Sequence, residues 1–92
     1  MKKETAQKLV STCVHKDRQG RINFNDWPLA GNANSKQRQE IYSLLMGRKM
    51  PIAKSGVNAI RREVFAQIKP EGNCLAAQYT NCAEKLIEIA EG

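Results

Sequence analysis

Apolar residues recur along this chain mostly at intervals of three and four, the spacing that gathers them on one side of an α-helix. Over residues 4–15 the stripe is Ala6, Leu9, Val10 and Cys13, with Lys2, Lys3, Lys8 and Lys16 outside it. This predicts a basic amphipathic first helix, ended by Asp17-Arg18-Gln19-Gly20. A second helix is expected over about 36–47, with Asn34 or Ser35 as N-cap, Ile41, Leu44 and Leu45 as its stripe, and Gly47 placed to terminate it. Ser55 is positioned to cap a third helix over 56–68, in which Val57, Ile60, Val64 and Ile68 recur until Lys69-Pro70 stops it. After the Pro70-Glu71-Gly72 turn, Asn73 is the expected cap of a fourth. There Leu75, Tyr79, Cys82, Leu86 and Ile89 follow a nearly heptad spacing and Glu84, Glu88 and Glu91 fall outside it.

One stretch departs from that period. Arg21 to Trp27 alternates polar and apolar, which suits a short extended segment laying Ile22, Phe24 and Trp27 onto a core. A strand needs a partner, and the expected one is Met50-Pro51-Ile52-Ala53, where Pro51 restricts pairing to an edge. The fold class expected is therefore mainly α, a four-helix single domain spanning residues 1–92, with room for a short two-stranded β element (α+β). No repeat, low-complexity tract or linker marks a second domain.

Composition narrows the setting. Hydrophobic residues make up 41% of the 92, enough for a folded core, and no apolar run approaches the roughly eighteen residues that span a bilayer. Met1-Lys2-Lys3 is basic, but Glu4, Gln7 and Lys8 follow where a secretory signal carries an apolar stretch, so a cytoplasmic protein is expected. The three cysteines, Cys13, Cys74 and Cys82, suit reduced thiols, with buried small hydrophobes the expected role of each. Adding His15 gives four potential zinc ligands, but no Cys-x-x-Cys or His-x-x-x-His pair provides chelating spacing, and no metal or cofactor is expected.

Charge changes the picture more. Fourteen of the fifteen Lys and Arg residues precede position 70, against five of the nine acids, so residues 1–69 carry +9 and residues 70–92 carry −3. A chain that concentrates positive charge and ends on an acidic helix has a directional field, and polyanions are its natural partners. Between 36 and 69 stand eight cations, Lys36, Arg38, Arg48, Lys49, Lys54, Arg61, Arg62 and Lys69, against two acids. All eight are expected on the outer faces of the second and third helices and their connection, where they form the candidate binding face. The ordinary alternative is a solvated basic surface with no partner.

Catalytic chemistry finds no foothold. His15 is the single histidine and has no evident partner base; Ser35, Ser43 and Ser55 lack a nucleophile-elbow context; the glycines are scattered singly, with no phosphate loop. A non-enzymatic protein is expected, without a small-molecule substrate. A helix-turn-helix over 36–47 and 56–68 fits badly, because residues 48–55 contain Pro51 and exceed its three- or four-residue turn. Single-strand binding by stacking has little to work with, since Tyr42, Phe65 and Tyr79 fall mostly on core stripes and Trp27 is better suited to core anchoring.

Taken whole, with its Met1-Lys2-Lys3-Glu4-Thr5 start and its helical end Cys82-Ala83-Glu84-Lys85-Leu86, the sequence resembles the small phage-encoded anti-CRISPR proteins. More narrowly, it resembles inhibitors of the type I-F crRNA-guided surveillance complex, also called Csy or Cascade. The resemblance implies a protein of the host bacterial cytoplasm that binds this complex and obstructs target DNA hybridisation. It also implies that the cations between Lys36 and Lys69 contact guide RNA backbone or acidic protein surface, while Glu84, Glu88 and Glu91 meet cations of the channel. The alternative expectation is a small basic transcriptional regulator that binds duplex DNA directly, as a dimer.

Overall fold

Four helices and a two-stranded hairpin make up the residues described by the computed structural model, 1–26, 35–48 and 56–92. In chain order they are α1 (Lys3–Cys13), β1 (Val14–Lys16), β2 (Ile22–Phe24), α2 (Ser35–Met46), α3 (Gly56–Ile68) and α4 (Leu75–Glu91). The mainly α single-domain expectation therefore holds, and the small β element is present.

The hairpin corrects the expected strand partner. β2 pairs antiparallel with β1, in the register Val14↔Phe24, His15↔Asn23 and Lys16↔Ile22. Met50–Ala53 lies outside the described residues. The first helix accordingly stops at Cys13 rather than continuing to 15, and Asp17-Arg18-Gln19-Gly20 turns a hairpin rather than only ending a helix. Asp17 explains why: its Oδ1 accepts the backbone N–H groups of Gln19 and Arg21, both at 2.9 Å. Gly20 supplies the left-handed φ of 78° that the turn requires. β-Branched Val14 and Ile22 then face the core edge, where pairing offers more than another half-turn of helix.

The core is built largely from the predicted stripes, with Ala83 added to them and Leu44, Leu45, Tyr79 and Ile89 only half-buried. Ala6, Leu9 and Cys13 of α1, Phe24 of β2, Ile41 and Tyr42 of α2, Ile60 and Val64 of α3, and Cys82, Ala83 and Leu86 of α4 are buried. Each large aliphatic side chain removed from water in this way contributes about 1.5–3 kcal/mol. Thr5 is the one buried polar residue among those described, and its hydroxyl donates to the Leu44 carbonyl, tying α1 to α2. Thr80 of α4 donates to Asn23 Oδ1 at 2.8 Å, and Asn23 Nδ2 donates to Asp17 Oδ2, so the hairpin turn is fastened to α4 through one chain of hydrogen bonds.

Helix ends follow local chemistry with one correction. Gly47, at φ 70°, closes α2 with its N–H on the Ser43 carbonyl, as expected. α3 closes on Lys69, a non-glycine residue at φ 50°, whose N–H bonds to the Phe65 carbonyl. The N-cap of α4 is Cys74, not Asn73. Its backbone is extended and its carbonyl accepts the Gln78 N–H, while Asn73 sits one residue too early to take that position. Gly72 lies so close to α4 that a Cβ there would stand 2.9 Å from the Ala77 Cβ, which sets the tight entry of the chain into this helix. The Asn81 side-chain amide donates to the Glu71 carbonyl across the same corner.

Candidate interaction surface

The predicted basic face is only partly assembled. Lys36, Arg48, Arg62 and Lys69 are exposed, as the outer-face expectation requires. Arg38 and Arg61 are half-buried, which corrects it for those two. Lys49 and Lys54 lie outside the described residues. Lys36 stands in the first turn of α2 and Arg48 two residues past its last residue, Met46, so these two exposed cations flank opposite ends of the helix. Arg62 lies within α3, and Lys69 immediately follows its last residue, Ile68, at a left-handed φ of 50°, so the two exposed cations belong to that helix and to its exit.

Arg61 does something the charge pattern alone does not reveal. Its Nη1 donates to Tyr79 Oη at 3.2 Å and lies 3.4 Å from Asp26 Oδ2, while Nη2 donates to Asn58 Oδ1 at 3.1 Å. One guanidinium thus joins α3, α4 and the segment after β2, using the fork geometry that a lysine lacks. Part of the basic charge is spent inside the fold. Lys8 behaves similarly, its ammonium 2.7 Å from Glu40 Oε1, linking α1 to α2.

Beside Arg61 lies an open groove between α3 and α4, about 500 Å³ in volume and lined by Arg61, Arg62, Phe65, Ala66, Leu75 and Tyr79. Its aromatic wall is ordered by ring contacts: Phe65 and Tyr79 meet edge to face with centroids 5.4 Å apart, and Phe65 tilts against Phe24 at 6.0 Å. Leu75 forms the lip. Its stripe position predicts a core residue, yet it is 58% exposed, because it belongs to the first turn of α4. Among the described residues no carboxylate lines this groove, and with Arg61 paired to Asp26 the apolar concavity meets exposed positive charge at Arg62. Arg61 and Arg62 were legible in the sequence as a basic pair. Leu75 as an exposed apolar residue was not, since periodicity reports which side of a helix a residue occupies and not whether a neighbour covers it.

The cysteines divide. Cys13 and Cys82 are buried as expected, and Cys74 is exposed at the α4 N-cap, correcting the reading of all three as core residues. Burial pushes the Cys13 thiol from an ordinary 9.0 to about 11, against the opposing hydrogen bond with Thr12, and the Cys82 thiol to about 12. Such thiols are poor nucleophiles and poor ligands. Among the described residues no three His, Cys, Asp or Glu side chains converge as a metal site would require. His15 is exposed on β1, its Nε2 3.5 Å from Asn25 Nδ2. Trp27 lies outside the described residues. Among those described, no helix is long and apolar enough to cross a membrane. Comparison with protein-family models, with curated proteins and with solved structures finds no match to this chain.

Proposed function

We propose that this is a non-enzymatic binding protein, an anti-CRISPR inhibitor that docks on a type I-F crRNA-guided surveillance complex and blocks target DNA hybridisation. The observation that carries the reading is the meeting of exposed Arg62 with an apolar groove that, among the described residues, no carboxylate lines. The whole-chain resemblance supports the choice of partner. The charge distribution supports the mode of action: a protein of net charge +6 does not imitate DNA, so it must engage acidic protein surface or guide backbone. Lys69, exposed just past the end of α3, adds a second cation at the exit of the helix that carries Arg62, whereas Glu84, Glu88 and Glu91 are exposed on α4 and free to meet cations elsewhere in the complex. Inhibition by this route is stoichiometric and forms no bonds.

The test is co-purification of the protein with crRNA-loaded complex, followed by a target-DNA gel shift. Bound inhibitor and lost DNA binding are expected. Arg62→Glu with Lys69→Glu is expected to weaken association by roughly a hundredfold, with an unchanged circular dichroism spectrum. Arg61 is left intact in this variant because it holds α3, α4 and Asp26 together. Tight binding to free duplex DNA that falls steeply with salt would instead identify the regulator.

A further inference from the structure

We infer that the α3–α4 groove receives an acidic segment of a protein, with an apolar side chain seated between Leu75 and Phe65 and an adjoining Asp or Glu carboxylate on Arg62. This deepens the preceding reading, and rests on it for the surroundings in which that segment is found. Three features select the chemistry. Leu75 is a large aliphatic side chain left 58% exposed, opposite exposed Ala66, so the groove has apolar surface to bury. Arg62 is exposed at its edge, and Arg61 is held in place by Asp26, Tyr79 and Asn58, so positive charge stands at a defined position beside that surface. Among the described residues no acid lines the groove, and Asp26 is paired with Arg61, which leaves Arg62 as the cation open to a partner. A carboxylate beside a hydrophobic residue satisfies both halves at once, and guanidinium–carboxylate pairing adds direction.

Nucleic acid suits the groove less well. Strand binding uses rings whose faces lie open to successive bases and a run of cations following the phosphates. Here Phe65 packs at a tilt against Phe24 and edge to face with Tyr79, and the Tyr79 hydroxyl accepts from Arg61, so both groove rings are tied into an intramolecular cluster. Among the described residues the cations at the groove are a pair, not a track.

The experiment titrates isotope-labelled protein with a short amphipathic peptide carrying leucines on one face and glutamates beside them. Single-stranded RNA of matched charge is the control probe. The expected result is saturable shifts of the Leu75 and Ala66 methyl groups and the Phe65 ring with peptide, and none there with RNA. Leu75→Ser and Arg62→Ala should each weaken the peptide about tenfold, and Leu75→Ser should leave thermal unfolding unchanged. Peptide shifts that miss the groove, or RNA that moves these signals and excludes the peptide, overturn the inference. The surveillance complex separates the two claims. Wild-type protein that co-purifies, with Leu75→Ser undiminished, refutes the groove while leaving the inhibitor. Wild-type protein that fails to co-purify, with a groove that still binds peptide saturably, refutes the inhibitor and keeps the groove.

Discussion

Helix α4 meets its neighbours in two different ways along its length. Toward α1 it presents Cys82, Ala83 and Leu86, all wholly removed from solvent against Ala6, Leu9 and Cys13. Ala6 and Cys13 on one helix and Cys82 and Ala83 on the other are small side chains of the kind that suit close helix packing. Toward α3, near its N-terminus, it presents Tyr79 and Leu75, and what forms there is an open groove in which aromatic rings, an anchored arginine and an exposed leucine share a boundary with water. The same helix, with one apolar stripe, makes a sealed seam at one end and an uncovered surface at the other. The sealed seam carries the stability. The open end carries the candidate binding chemistry, because a surface that contributes little to folding is available for another molecule.

The sharpest way to break this comparison is to truncate a leucine on each side. Leu86→Ala is expected to cost about 2–5 kcal/mol of stability in chemical denaturation, since it opens a cavity in the seam. Leu75→Ala is expected to stay within about 0.5 kcal/mol of the wild type. Equal losses would mean that the groove is part of the core.

The thiols probe the seam by pH. Both buried cysteines ionise later in the folded chain than in the unfolded one, at about 11 for Cys13 and about 12 for Cys82 against 9.0. Below pH 9 both states hold the protons and the stabilising contribution is fully present. Above it the unfolded chain loses protons first, so stability falls with pH by roughly 1.4 kcal/mol per unit for each thiol, up to about 11 for Cys13 and about 12 for Cys82. Urea unfolding across this range should show the decline, and Cys82→Ala should make it shallower by removing one of the two contributions. In the native protein iodoacetamide should label Cys74 alone, and rapid labelling of Cys13 would contradict a closed seam.

The smallest effect is expected at the groove's polar anchor. Asp26→Asn removes the partner of Arg61 from a pair whose side chains are 25% and 36% exposed, and about 0.2–1 kcal/mol of stability should go with it. Tyr79→Phe, which removes the hydroxyl that accepts from the same guanidinium, should act in the same direction. A thermal-melt shift as large as that of Leu86→Ala would place Arg61 in the load path of the fold rather than at the edge of a binding surface.

Much of the architecture was legible because helices announce themselves locally. The stripes through Leu9, Ile41, Ile60 and Leu86 mark residues that are buried, and Gly47 ends α2 where expected. The hairpin was half legible: the alternation through Ile22 and Phe24 marks a strand, and Asp17 to Gly20 has turn chemistry. Its partner, Val14–Lys16, was hidden inside what the helical stripe claimed, and a strand's partner is a tertiary choice. Of the candidate site, the Arg61-Arg62 pair was visible as charge. That Arg61 is bound inward, that Arg62 is left facing out, and that Leu75 stands uncovered depend on where three separate elements come to rest.

By itself, then, the chain's order of residues determined the number and type of helices, the faces they bury and the excess of positive charge before position 70, because each is set by spacing within a few turns. Tertiary structure alone decided the β1–β2 pairing, the exposure of Cys74 and Leu75, and the division of cations between those tied into the fold and those directed at a partner. Those outcomes rest on contacts between residues far apart in sequence, such as Arg61 with Asp26 and Tyr79, and local periodicity carries no record of such distances.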